Sequence, residues 1–116
     1  MKEPLLGTAG SRAGWTRYPG YVAGPGLLDD HRVDEAIAGG LAWRRDGGQL
    51  VKTWLGEDFA AALAYVNKVG ELAERANHHP DVDIRWGTVT LRLSTHSMGG
   101  LTQADLDLAA QIDQLG

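Results

Sequence analysis

The sequence predicts an α+β domain of order α-β-β-α-β-β-α, a four-stranded antiparallel sheet covered by helices on one face. Three observations carry this. Phe59, Ala62, Leu63, Val66, Val69, Leu72, Ala73 and Ala76 recur at three- and four-residue steps, the single apolar stripe of a helix of about five turns. Val82, Ile84 and Trp86, then Val89, Leu91 and Leu93 after a turn at Gly87, alternate with polar residues, as an antiparallel pair with one buried face would. Earlier in the chain, Asp46-Gly47-Gly48 separates two stretches rich in Trp, Val, Leu and Thr, and Gly supplies the positive φ of a tight hairpin turn. Hairpins separated by helices argue for an antiparallel sheet with helices on one side.

Composition narrows the function classes. The 116 residues suit one domain with one core. Cysteine is absent, which excludes disulfides, zinc–thiolate sites and thiol nucleophiles. No apolar run approaches the roughly 20 residues of a membrane span. The first residues lack the apolar stretch of a secretory signal, so a soluble, cytoplasmic protein is expected. The net charge of −4 and the scattered Lys and Arg give no general attraction to nucleic acid.

Residues 1–26, rich in Gly and carrying Pro4, Pro19 and Pro25, read as an irregular arm ahead of a domain at 27–116. Trp15, Tyr18 and Tyr21 are unusual for a purely disordered tail; they could lie on the domain, lie on a partner subunit, or be foreign to the natural chain. Asp29 or Asp30 can cap a first helix carrying Val33, Ala36 and Ile37, because a short carboxylate accepts from the free N–H groups of the first turn. Gly39-Gly40 stops it, and His31 in its first turn reads as a solvated polar residue. Leu41 to Arg45 and Gln49 to Leu55 form the first hairpin, and Gly56 breaks its second strand. Asp58 opens the long helix, whose outer face carries Lys68, Glu71, Glu74 and Arg75. Pro80 ends that region and biases His79 toward extended geometry. His96 shares parity with the polar residues of the last strand, so it should not point into the core. Gly99-Gly100 bends the chain, and Thr102-Gln103-Ala104-Asp105 resembles a capping box with Asp in place of Glu. Leu106, Ala109, Ala110 and Ile112 give the last helix its apolar side.

Three of the four histidines fall in two segments, Glu74-Arg75-Ala76-Asn77-His78-His79-Pro80 and Thr95-His96-Ser97-Met98-Gly99-Gly100-Leu101-Thr102. The first closes the long helix and the second closes a strand. Imidazole both donates and accepts a proton near neutral pH, so this is a pattern for acid–base work. If the helix reaches His78, Glu74 lies beside it at four-residue spacing. His79, in the exit segment, should point elsewhere and could serve a different atom of one substrate. Competing readings remain. His-His-Pro could be only a polar helix terminus. Three histidines could bind zinc, though adjacent histidines rarely converge on one ion and no His-x-x-x-His pair is present. Asp105 is explained by its helix N-terminal position alone.

These residues resemble the pterin-4a-carbinolamine dehydratases, or 4a-hydroxytetrahydrobiopterin dehydratases. That family's pattern is an acidic residue, three positions, His-His-Pro, an aromatic, a His and an Asp. Here Glu74, His78-His79-Pro80, Trp86, His96 and Asp105 fit it. Ala64-Tyr65-Val66-Asn67, Ser94-Thr95-His96 and Gly99-Gly100-Leu101-Thr102 add to the likeness, which runs from about residue 28 to the end.

The resemblance implies the same α-β-β-α-β-β-α fold and a hydro-lyase that expels the C4a hydroxyl of a 4a-hydroxytetrahydropterin in tetrahydrobiopterin recycling. It implies His78, His79 and His96 as catalytic residues. Asn77, Ser94, Thr95 and Ser97 join them in substrate contact, with Glu74, Trp86 and Asp105 in support. Trp86 reads equally as core packing. No metal or redox cofactor is implied. A homodimer or homotetramer is, and exposed strand edges make pairing reasonable. A non-catalytic binding protein, dimerisation cofactor or assembly factor on the same fold is the alternative, because fold does not fix function.

Overall fold

A computed structural model describes residues 26–116; the arm expected at 1–26, with Trp15, Tyr18 and Tyr21, lies outside the described residues but for Gly26. Helix α1 (Asp30–Ala38) begins where the Asp29 side chain accepts from the Arg32 N–H at 2.9 Å. Strands β1 (Arg44–Asp46) and β2 (Gln49–Leu55) form the first hairpin, with Gly47 at a φ of 61° in its turn. Helix α2 (Phe59–Ala76) is capped by Asp58, which accepts from the Ala61 N–H at 2.8 Å. Strands β3 (Asp81–Arg85) and β4 (Thr88–Leu93) form the second hairpin, a short 3-10 turn covers His96–Met98, and α3 (Gln103–Asp113) closes the domain. The expected order of elements is the observed one.

All strand pairs are antiparallel and the sheet order is β1-β2-β4-β3. Register sets Leu50 against Leu93 and Trp54 against Val89, and Ile84 faces Val89 from the other side. That face of the sheet meets Ala62, Tyr65, Val69 and Ala73 of α2 and Leu106, Leu108, Ala109 and Ile112 of α3 in one core. β4 alternates as the sequence predicts, with Val89, Leu91 and Leu93 fully buried between half-buried polar residues. No described helix is long and apolar enough to cross a membrane.

Three local expectations are corrected. The first strand was expected from Leu41 but begins at Arg44. The residues ahead of it are taken by α3 instead: Asp113 accepts the Ala42 N–H at 2.7 Å and the Trp43 indole N–H at 2.9 Å. Asp113 also pairs with Lys52 at 2.6 Å, so the last turn of α3 fastens β2 together with the segment that leads into β1. Trp86 is not core. The alternation stops at Arg85, and Trp86 and Gly87 form the two-residue turn that joins Arg85 to Thr88. Trp86 takes a φ of 51° there, which swings its side chain off the sheet to 68% exposure. The inward face of β3 is also less covered than expected, with Val82 43% exposed, because β3 is an edge strand.

Candidate functional site

The end of α2 decides where the paired histidines go. Asn77 caps the helix in the left-handed region, at φ 50° and ψ 43°. Asn tolerates that conformation better than most residues, because its short polar side chain bonds locally. The helix therefore stops one residue before His78. Helical spacing no longer holds beyond this point, and the expected Glu74–His78 pair does not form. Glu74 Oε2 lies 2.5 Å from Nε2 of His79 instead, on the surface. His78 turns inward, and its Nε2 lies 2.5 Å from Oδ1 of Asp105, 27 residues further along the chain.

Asp105 is fully buried. Its Oδ2 accepts the Thr102 backbone N–H at 2.9 Å, which is the capping half of its role at the start of α3. The same oxygen accepts the Thr95 hydroxyl at 2.8 Å. One carboxylate therefore caps the helix, as its place in the sequence suggests, and also meets His78, with Oδ2 on the first task and Oδ1 on the second.

The other wall comes from the end of β4. Thr95 keeps the inward parity of Val89, Leu91 and Leu93 and is 5% exposed. Its carbonyl accepts the N–H groups of Met98 at 2.9 Å and Gly99 at 3.0 Å, and its own N–H donates to the Gly100 carbonyl at 2.8 Å. Gly99 closes this loop at a φ of 74°, where a side chain would be strained. His96 stands at the start of the 3-10 turn and is exposed, as its parity requires.

Between the two walls lies an open cleft of about 310 Å³, lined by Asn77, His78, His79, Ser94, Thr95, His96 and Ser97. The structure thus brings together the three histidines and the four flanking residues singled out from sequence. Glu74 touches the cleft through His79 and Asp105 through His78. Trp86 does not line it, because the five residues of β3 separate the Trp86 turn from Pro80 by roughly 16 Å. His31 sits apart on α1, 3.6 Å from Glu35. Among the described residues no three His, Asp or Glu side chains converge as a metal site needs. Tyr65, whose hydroxyl is pushed up to about 12 by burial and then by the nearby Asp113 charge, belongs to the core and not to the cleft.

From sequence, Thr102 has a helix-cap role and a place in the family likeness, but no side-chain partner at Thr95. The structure also sets its hydroxyl 2.8 Å from that of Thr95. The signal was there in outline, since a capping box places the Thr and Asp side chains together, but nothing local says that Thr95 joins them.

The family profile described as pterin 4 alpha carbinolamine dehydratase matches residues 26–115. A relative from Nocardia farcinica, provisionally named a pterin-4-alpha-carbinolamine dehydratase, is 54% identical over 89 residues, covering 77% of this chain and 94% of the relative. One from Roseiflexus castenholzii, with the same provisional name, is 51% identical over 77% of this chain and 96% of its own length. Among solved structures, a transcriptional coactivator/pterin dehydratase from Brucella melitensis superposes with a TM-score of 0.72 at 23% identity, covering 77% of this chain and 97% of the other, a likeness of fold. A pterin dehydratase-like protein described as a RuBisCO assembly factor in the alpha-carboxysome gives 0.54 at 25% identity, over 64% of this chain and 88% of that one. With the profile spanning nearly every described residue, the chain belongs to the pterin-4a-carbinolamine dehydratase family.

Proposed function

We propose that this protein dehydrates 4a-hydroxytetrahydropterins to quinonoid dihydropterins by histidine acid–base catalysis, as a cytoplasmic hydro-lyase in tetrahydrobiopterin recycling. The observation that carries this reading is that all three histidines line one cleft, from two separate segments of chain. The reaction breaks the C4a–O bond and removes the proton on N5, so that a C4a–N5 double bond forms and water leaves. It needs an acid at the departing hydroxyl and a base at N5, and imidazole serves either task near pH 7. His78, His79 and His96 share these tasks and hold the substrate. Asn77, Ser94 and Ser97 complete the binding surface with the backbone of Thr95, and backbone groups there can read the amide and amino edges of the pterin. Glu74 and Asp105 orient His79 and His78 respectively. The chemistry calls for no metal or redox cofactor.

In this reading the catalytic unit is residues 27–116, and it works as a homodimer or homotetramer. Exposed Leu55, Phe59, Leu63, Val82 and Trp86, together with the open edge of β3, support association. Light scattering at micromolar concentration should give a mass above that of one 12.4 kDa chain.

The test is stopped-flow ultraviolet decay of a 4a-hydroxytetrahydropterin. Wild type should accelerate decay above the spontaneous rate, and His96→Ala should lose that acceleration. A well-folded wild type without effect would sink the reading. The alternative, a binding or assembly protein on this fold, draws on the assembly-factor relative. It would gain if a stable protein partner stayed bound after all three histidines were replaced.

A further inference from the structure

Thr95 occupies a position where the strand pattern calls for an apolar residue. Val89, Leu91 and Leu93 precede it at two-residue steps, all buried, and Thr95 is buried as they are. A hydroxyl brought inside the protein costs free energy unless it is hydrogen-bonded. Here it is bonded twice. Its oxygen lies 2.8 Å from Asp105 Oδ2 and 2.8 Å from the Thr102 hydroxyl.

The chemistry of the partners fixes the direction of this chain. A carboxylate only accepts, so the single Thr95 proton goes to Asp105. Thr95 must then accept the proton of Thr102. Asp105 Oδ2 thereby takes two donors, the Thr95 hydroxyl and the Thr102 N–H, and the plane of the carboxylate is set. Its other oxygen is left aimed at His78 Nε2. An acceptor there places the proton of neutral His78 on Nε2 and the basic lone pair of the ring on Nδ1. Meanwhile the Thr95 backbone closes the loop that carries His96. One residue therefore touches the supports of histidines on both walls, while its hydroxyl is engaged by the protein rather than turned to a ligand.

We propose that Thr95 is a positioning residue of the dehydration: its hydroxyl orients Asp105, and through Asp105 it fixes the tautomer and direction of the His78 ring. This rests on the dehydratase reading for its kinetic consequence, but not for its structural one.

The experiment combines kinetics with NMR of 15N-histidine-labelled protein. Wild type should show His78 protonated at Nε2 in its neutral form. Thr95→Val, which keeps the shape and removes the hydroxyl, should lower kcat about tenfold to a hundredfold. KM should change less than twofold, and the His78 signals should become a mixture of tautomers. Thr95→Ser, which restores the hydroxyl, should recover most of both losses. A raised KM with kcat retained would show that the hydroxyl contacts substrate and would overturn the proposal. So would a kcat loss with the His78 spectrum unchanged. A wild-type His78 protonated at Nδ1 overturns it without any variant, even if Thr95→Val fails to fold. If wild type lacks dehydratase activity, the functional reading falls, and the NMR comparison alone decides whether Thr95 sets His78.

Discussion

Replacing Asp105 with Asn tests the buried pair at its centre, because it changes one atom and almost no volume. Three donors converge on the carboxylate: His78 Nε2 at 2.5 Å, the Thr95 hydroxyl at 2.8 Å and the Thr102 N–H at 2.9 Å. An amide offers one oxygen. The Thr102 N–H cannot become an acceptor, so the oxygen stays on that side and the NH2 faces His78. His78 must then present a lone pair at Nε2 and carry its proton on Nδ1. Returning to the original tautomer would set two buried N–H groups against each other, an unsatisfied donor costing about 1–3 kcal/mol. If His78 works as the Nε2–H tautomer, kcat should fall about 5- to 150-fold. Exchanging charge-assisted bonds for neutral ones should also lower unfolding stability by about 1–2 kcal/mol. Stopped-flow kinetics gives the first quantity, urea denaturation the second, and 15N-histidine NMR the tautomer. A folded variant with the tautomer reversed and kcat within twofold of wild type would refute the link between Asp105 and catalysis. One that kept the proton on Nε2 would refute the hydrogen-bond argument itself.

The surface pair should matter far less to stability. His79 and Glu74 have side chains 53% and 78% exposed, so Glu74→Gln should change unfolding stability by no more than about 1 kcal/mol in urea titration. Tyr65 should respond the opposite way from most buried polar residues. Its hydroxyl has no hydrogen-bond partner among the described residues, while its ring stacks on Trp54 at 4.2 Å. Tyr65→Phe should keep the stack and raise stability by about 1 kcal/mol. The raised value also fixes a pH dependence: the neutral phenol is favoured in the fold, so its contribution is complete below pH 10 and is lost as pH rises from 10 through about 12. Denaturation midpoints of wild type should drop more steeply than those of Tyr65→Phe across that interval. Gly87→Ala should be costly, because a Cβ there would stand 2.7 Å from the Gly56 carbonyl oxygen and 3.3 Å from that of Asp58. Backbone cannot yield as a side chain can, and about 1–3 kcal/mol of stability should be lost in thermal or urea unfolding, with kcat unaffected at the far end of β3.

The parts legible in sequence are those whose burial repeats locally. The α2 stripe and the β4 alternation each report a buried face at every turn or every second residue, so element type follows from period. The histidine cleft was legible in membership, since its residues sit at the ends of those elements. Its pairing was not. Glu74 and His78 are four apart, and helical geometry would join them. One left-handed residue, Asn77, exchanges the partners, so that Glu74 meets His79 and His78 crosses to Asp105. The start of β1 was unreadable for a similar reason, because Ala42 and Trp43 are held by Asp113, 71 and 70 residues away. Trp86 misled because parity was extended one residue past the strand, into a turn where φ changes sign.

Asp105 shows why stability and chemistry are hard to separate in this domain. Its Oδ2 satisfies an N–H that every helix leaves open at its start, so the carboxylate would serve the fold even without a substrate. That service immobilises it. Leu106, Leu108, Ala109 and Ile112, all buried, dock α3 on the core and hold the first turn of the helix, with Asp105, where Oδ1 meets His78. The direction of the His78 ring is thus inherited from the packing of a helix that does not itself line the cleft. Substitutions that loosen α3 against α2 should consequently register at His78 before they register as unfolding, since a displacement of about 1 Å takes the His78–Asp105 contact out of good hydrogen-bond geometry while removing little apolar burial.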